Sequence, residues 1–156
     1  MFTENIGEDY HNFPALADPA DERKAWEDRA RSYLDVNCSQ CHRPEGTGRS
    51  GFDLRASTPL PETQLLDLIA AFGDLGTEDG GIVRTGSPEN SVLYLRMTRT
   101  DEFRMPPLAS TIVDELGTQV VYVMLEASIL TLILNSNCKQ SMTKNRFLLN
   151  DIQVIG

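Results

Sequence analysis

The strongest constraint on this chain is the run Cys38-Ser39-Gln40-Cys41-His42, which has the pattern C-x-x-C-H. Two cysteines three positions apart can bring their sulfurs to the two vinyl groups of one porphyrin. The adjacent histidine can then bind the iron from one face. The pattern therefore predicts one covalently attached haem c, with thioether bonds at Cys38 and Cys41 and with His42 as the proximal iron ligand.

Two other kinds of site use similar residues. A thioredoxin-type dithiol follows a strand in a βαβ unit, whereas a helical pattern precedes this motif. A structural zinc site needs four ligands, and outside the motif the chain offers only His11 and Cys138. An iron with two histidine ligands would also need His11, which is interpreted as a surface residue. Three cysteines exclude a disulfide framework of the small secreted type.

A haem that transfers electrons with six iron ligands needs a second axial ligand. Methionine is a common choice, because its thioether raises the reduction potential. Of the five methionines, Met105 is best placed, since Pro106 and Pro107 stiffen its loop. Met97 lies in a predicted helix, where a core role fits better. We therefore predict His42 and Met105 as the metal ligands, and a Met105 that only packs on the haem edge is the alternative.

The hydrophobic pattern predicts an all-α chain with Gly- and Pro-rich loops and no internal repeat. A first helix, from about Pro19 to Val36 with Asp18 as its cap, leads into the motif. Further helices are predicted at residues 65–72, 87–97 and from about 111–114 onward.

The composition allows one domain and restricts its partners. The 156 residues include 40% hydrophobic side chains, enough for a single core. The formal charge of -9 leaves no basic stripe and argues against nucleic-acid binding. An acidic surface suits a basic redox partner, and simple solubility is an equal alternative. The apolar stretch 120–134 contains Glu126 and is shorter than the roughly 20 residues of a spanning helix, so it is interpreted as core, with a membrane-associated tail as the minor alternative.

The beginning of the chain bears on its compartment. It carries acidic residues early and lacks a basic start followed by an apolar core, so it does not have the pattern of a secretory signal. Bacteria attach c-type haem outside the cytoplasm. We therefore expect a periplasmic or otherwise exported protein, and the sequence to be a mature form or the tail of a longer protein.

Several segments resemble the C-terminal cytochrome c-like haem domains of bacterial exported proteins, which are often fused to larger oxidoreductase or β-rich modules. The resemblance covers about Asp18 to Tyr122. It is carried by RARSYL (29–34), NCSQCHRPEGTGRSGFDLR (37–55), GSPENSVLYLRM (86–97), RMPPL (104–108) and VDE (113–115). It implies a mainly helical cytochrome c-like fold, thioether sites at Cys38 and Cys41, His42 as proximal ligand and Met105 as distal ligand.

The expected organisation is a lead-in at residues 1–17, a haem domain at 18–128 and an atypical C-terminal extension at 129–156. The extension departs from the family, whose domains usually close with a helix that carries a tryptophan near its end; here no tryptophan follows Trp26. Arg49 and Arg104 are candidates for the haem propionates, with solvated surface arginines as the favoured alternative. The apolar residues expected around the haem are Phe52, Leu54, Leu65, Leu68, Leu93 and Leu108.

The expected function is electron transfer to a redox partner protein or a fused upstream oxidoreductase domain, with no substrate reaction of its own. Two alternatives stay open. The chain could be the electron-accepting part of a larger exported dehydrogenase. It could also be a ligand-binding or sensor haem with an open distal site, which would follow if Met105 does not bind the iron.

Overall fold

The computed structural model describes residues 14–49, 51–66, 68–108 and 111–127. Within these ranges the chain forms three α-helices: α1 (Trp26–Cys38), α2 (Val92–Met97) and α3 (115–127, where the described range ends). Two short 3-10 helices span Leu60–Glu62 and Pro88–Asn90. The same ranges contain no strand, only an isolated antiparallel bridge. The helical class predicted from the sequence is confirmed.

The first helix starts later than predicted, at Trp26 instead of Pro19. The Asp18 carboxylate accepts a hydrogen bond from the Ala20 N–H at 2.9 Å. Asp21 makes the same kind of contact with the backbone two residues ahead. Short acidic side chains of this kind bind nearby backbone N–H groups and hold turns that compete with a helix. The helix that follows runs to the first cysteine of the motif, so the prediction that a helix leads into it is confirmed.

The helix predicted at residues 65–72 is wrong. Ile69 instead forms an antiparallel bridge with Gly81. The Ala70 N–H donates to the carbonyl oxygen of Gly80 at 2.7 Å. The backbone N–H and C=O groups of this segment, which a helix would pair with each other, are therefore hydrogen bonded to a second loop. The apolar pattern does not mark a buried face, since Ile69 is 62% exposed.

The other two predicted helices are present. The segment 87–97 is divided at Ser91, whose extended backbone ends the 3-10 helix and begins α2. The buried hydroxyl of Ser91 accepts a hydrogen bond from the Arg84 N–H at 2.8 Å, which fixes this break. The last helix begins at residue 115, next to the predicted start at 111–114.

One hydrophobic core joins the three helices and the loops between them. Four of the apolar residues expected around the haem are buried in it, Leu68 is partly buried against it, and Leu108 is 81% exposed. No helix in the described ranges is long and apolar enough to cross a membrane. The buried core consists of Ala30, Leu34, Phe52, Leu54, Leu65, Ile82, Val83, Leu93, Met97, Val120, Val121, Met124 and Leu125.

A buried arginine attaches α1 to the loop that follows the motif. Arg31 is only 6% exposed. Its guanidinium donates hydrogen bonds to the carbonyl oxygens of Arg55, at 2.6 Å, and Thr58. It also lines a surface depression of about 710 Å³ at the N-terminal side of α1, which none of the predicted haem residues lines. The role of Arg31 visible here is to position the loop.

Candidate haem-binding site

The three residues of the motif lie in one turn at the end of α1. Cys38 is the last residue of the helix. Its carbonyl oxygen accepts hydrogen bonds from the N–H groups of Cys41, at 3.1 Å, and His42, at 2.9 Å. This turn places both thiols and the imidazole within five consecutive residues at the carboxyl end of a rigid element.

The two thiols differ in their surroundings. Cys38 is half-buried and Cys41 is exposed, and neither forms a disulfide. Burial, with a smaller contribution from Cys41, raises the pKa of the Cys38 thiol to about 12. Cys38 is therefore a neutral thiol at neutral pH, whereas Cys41 is open to reagents in solution.

The His42 imidazole is held against an aromatic ring. It stacks on Phe52 with the ring centroids 4.7 Å apart and the planes within 10° of parallel. The Leu54 N–H also donates to the His42 carbonyl oxygen at 2.9 Å. Burial lowers the pKa of the imidazole, so the neutral form that binds iron predominates at pH 7.

Two glycines of the loop after the motif are required by close packing. A Cβ atom at Gly48 would lie 2.7 Å from the Cys41 carbonyl oxygen and 2.8 Å from His42 Nδ1. At Gly46 it would lie 2.3 Å from the same oxygen. The Gly48 N–H donates to this oxygen at 2.8 Å. The sequence identified these glycines only as loop formers; their contact with the motif depends on the folded chain.

A small cavity connects the motif with both candidate methionines. It has a volume of about 40 Å³ and is lined by Cys38, Met97 and Met105, together with residues of α1 and the loops before α3. Met97 is buried and belongs to the core, as predicted. The structure therefore brings Met105 to the Cys38 side of the motif, and Met97 lies on the same cavity.

The loop that carries Met105 is attached to α2. The Met105 N–H donates to the carbonyl oxygen of Arg96 at 2.9 Å. The Arg104 guanidinium spans the loop, because it donates to the carbonyl oxygens of Asp101, at 3.1 Å, and Pro107, at 2.9 Å. These contacts fix the position of the methionine backbone relative to the cavity.

The donor set of this region fits a c-type haem. Two thiols, a neutral imidazole and a thioether are the side chains that such a group requires. The cavity beside Cys38 is much smaller than a porphyrin, and Cys41 and His42 do not line it. The described ranges contain no group of three or more His, Cys, Asp or Glu side chains placed to hold a metal ion. His11, Cys138 and the predicted extension at 129–156 lie outside the described residues.

Comparisons with protein-family models, with curated proteins and with solved structures each found no match to this chain.

Proposed function

We propose that the chain is a single-haem, c-type electron-transfer domain with a cytochrome c-like fold. The observation that carries this proposal is the C-x-x-C-H turn at the end of α1, with Met105 on the cavity that Cys38 lines. The proposed domain catalyses no substrate reaction. Because bacteria attach c-type haem outside the cytoplasm, the proposed location is the periplasm or another exported compartment.

In this proposal Cys38 and Cys41 form the covalent attachment. The two S–H groups would each add across one vinyl group of a bound haem, with the sulfur bonding to one vinyl carbon and the proton going to the other. No oxidant or reductant is consumed. Cys41 is exposed, whereas Cys38 is half-buried beside the cavity. We therefore expect the Cys38 side of the turn to open during attachment.

His42 is proposed to hold the iron from the proximal side. The Phe52 ring restricts rotation of the imidazole, and Gly48 leaves room for it next to Nδ1. A proximal ligand held in one orientation needs little rearrangement when the charge on the iron changes. Phe52 and Gly48 are therefore positioning residues for His42.

Met105 is proposed as the distal ligand. Its loop is anchored to α2 through the Arg96 carbonyl, and its side chain is half-buried at the cavity. Met97 is 7% exposed and packs in the core, where a methionine fills space. Bound haem would supply a one-electron couple between ferric and ferrous iron, and a methionine ligand would raise its potential.

Two matched variants test the ligand assignment in haem-loaded protein. Met105→Ala is expected to remove the methionine-to-iron absorption band of the ferric protein, lower the reduction potential and let carbon monoxide bind the ferrous form. Met97→Ala is expected to keep the band and to lower the free energy of unfolding by about 2–5 kcal/mol through a core cavity. Loss of the band only in Met97→Ala would show that α2 supplies the ligand. A band unchanged in both variants would show that another group occupies the sixth position.

A further inference from the structure

A surface strip next to the cavity alternates arginine and phenylalanine side chains. The Arg49 guanidinium lies over the Phe72 ring, with its carbon 5.4 Å from the ring centroid. Arg96 then joins the two aromatic residues, because it donates to the carbonyl oxygens of Phe72 and of Phe103, the latter at 3.1 Å. Arg99 completes the strip, with its guanidinium carbon 5.8 Å from the Phe103 ring centroid.

The strip exposes apolar surface. Phe72 is 56% exposed and Phe103 is 41% exposed. Ile112, which lines the same cavity as Arg99, is 82% exposed. Large apolar side chains grouped on a surface and bordered by polar groups are typical of interaction sites.

The charge of the strip differs from that of the whole chain, which is -9. Arg49 and Arg96 form no ion pair among the described residues, whereas Arg99 pairs with Asp101 at 2.5 Å. Burial and the positive charge of Arg99 lower the pKa of Arg96. The strip therefore carries three arginines, of which Arg99 is paired with Asp101, and the exposed Glu102 lies in the adjoining loop.

The strip adjoins the proposed haem site. Arg99 lines the same cavity as Cys38 and Met105. The Arg96 carbonyl anchors the backbone of Met105. A protein bound to the strip would therefore lie next to the cavity that Cys38 and Met105 line.

We propose that this arginine–phenylalanine strip docks an acidic, carboxylate-rich redox protein that exchanges one electron with the haem domain. The inference rests on the proposed function and assigns the partner's chemistry. Arginine and aromatic side chains are enriched at protein interfaces. Complementary charge also steers two proteins together and raises the rate of encounter. If the net charge of -9 were spread evenly over the surface, the chain would instead favour a basic partner.

The sign of charge at the site of electron exchange can be measured with small oxidants of opposite charge. The reduced, haem-loaded protein is mixed with ferricyanide, a trianion, or with tris(phenanthroline)cobalt(III), a trication; each accepts one electron from ferrous haem. A positive strip predicts that the ferricyanide rate falls roughly tenfold as salt screens the attraction. The rate with the cobalt complex is expected to rise. Ferricyanide rates that rise with salt would overturn the proposal.

Substitution of arginines in the strip tests whether the strip causes the salt dependence of the ferricyanide rate. Arg49→Gln combined with Arg99→Gln is expected to slow ferricyanide oxidation roughly threefold at low salt and to weaken the dependence of its rate on salt. Arg23→Gln is the control for removal of an arginine, since Arg23 is exposed and pairs with Asp21 before α1. Equal slowing in the control would show that the net charge of the chain, and not the strip, governs the rate.

Poly-L-glutamate serves as an extended acidic probe. It is expected to slow ferricyanide oxidation of the wild type at low salt and to have little effect on the double variant. No effect on the wild type would overturn the docking role. If the wild type sediments as a dimer and the double variant as a monomer, the strip instead binds a second copy of the chain. If the protein carries no haem, no oxidation signal appears at all, which identifies failure of the proposed function itself.

Discussion

The ring of Tyr33 in α1 lies directly against Gly117 in α3. A Cβ atom added at Gly117 would stand 2.0 Å from Tyr33 Cζ and 2.3 Å from its hydroxyl oxygen. Burial, with smaller contributions from the charge of Asp114 and a hydrogen bond to it, raises the pKa of the Tyr33 hydroxyl. Tyr33 and Asp114 both line the cavity with Met105. The contact between the two helices therefore also shapes one wall of the candidate site.

Gly117→Ala should destabilise the protein, although alanine is the better helix former. The gain in helix propensity is about 1 kcal/mol. The added methyl group would have to displace the end of the partly buried Tyr33 ring or push the two helices apart, which costs about 1–3 kcal/mol. Chemical denaturation of Gly117→Ala measures the net loss. Gln119→Ala, at an exposed position of the same helix, is the control and should be nearly neutral.

Gly48→Ala should disturb the proximal histidine and lower haem incorporation. The new methyl group would press on the Cys41 carbonyl and on His42 Nδ1. Gly51→Ala is a close control in the same loop, because its Cβ would meet only Gln64 Oε1, at 3.8 Å. The haem content per chain, from the absorbance ratio of haem to protein, compares the two variants. Equal incorporation by both would show that Gly48 has no positioning role.

Before haem attachment, Cys41 should react with iodoacetamide well before Cys38. The thiolate is the reactive form, and a pKa raised to about 12 leaves Cys38 almost entirely a neutral thiol at pH 8. Cys41 is exposed. Peptide mass spectrometry of a Cys138→Ser background after timed alkylation gives the order. Modification of Cys38 first would contradict the burial described for it.

The Asp53 carboxylate should stabilise the loop that holds Phe52 and Leu54, and only above acidic pH. It accepts hydrogen bonds from Arg55, at 2.6 Å to Nη2, and from the Thr58 hydroxyl at 2.7 Å. The hydrogen bond from Arg55 is the main reason that its pKa lies well below the usual range. A lowered folded-state pKa stabilises the protein above the unfolded value of about 4, and this stability is lost as the pH falls through the folded-state pKa.

The matching variant is Asp53→Asn. At pH 7 it should lower the free energy of unfolding by about 1 kcal/mol, since the ion pair with the half-exposed Arg55 is screened by solvent. Urea denaturation at several pH values is the measurement. The difference from wild type should shrink as the pH drops below about 4. A difference that stays constant with pH would show that the carboxylate charge is not involved.

Sequence reasoning succeeded where local chemistry decides the structure. The apolar spacing of Ala30 and Leu34 predicted a helix into the motif, and both residues are buried in α1. It failed at Ile69, where a helical spacing was overruled by backbone pairing with Gly81. That pairing depends on a distant segment, so no local pattern could indicate it.

In the candidate site, too, local features were visible in the sequence and contacts between distant residues were not. The spacing of Cys38, Cys41 and His42 is local and visible in the sequence. The stacking of Phe52 on His42 is a contact across a glycine-rich loop, and the sequence marked Phe52 only as an apolar pocket residue. A glycine-rich segment directly after the motif was the one available signal that the backbone approaches the histidine closely.

Covalent attachment of haem is the central claim, and intact mass of the denatured protein tests it most directly. The chain is produced in an exporting bacterium with haem-maturation machinery, together with a known c-type cytochrome that confirms the machinery works. Wild type and Cys138→Ala should each gain the mass of one haem, because thioether bonds survive denaturation. The double variant Cys38→Ala, Cys41→Ala should gain none. A folded wild-type chain without haem, beside a control cytochrome that carries it, would contradict the account.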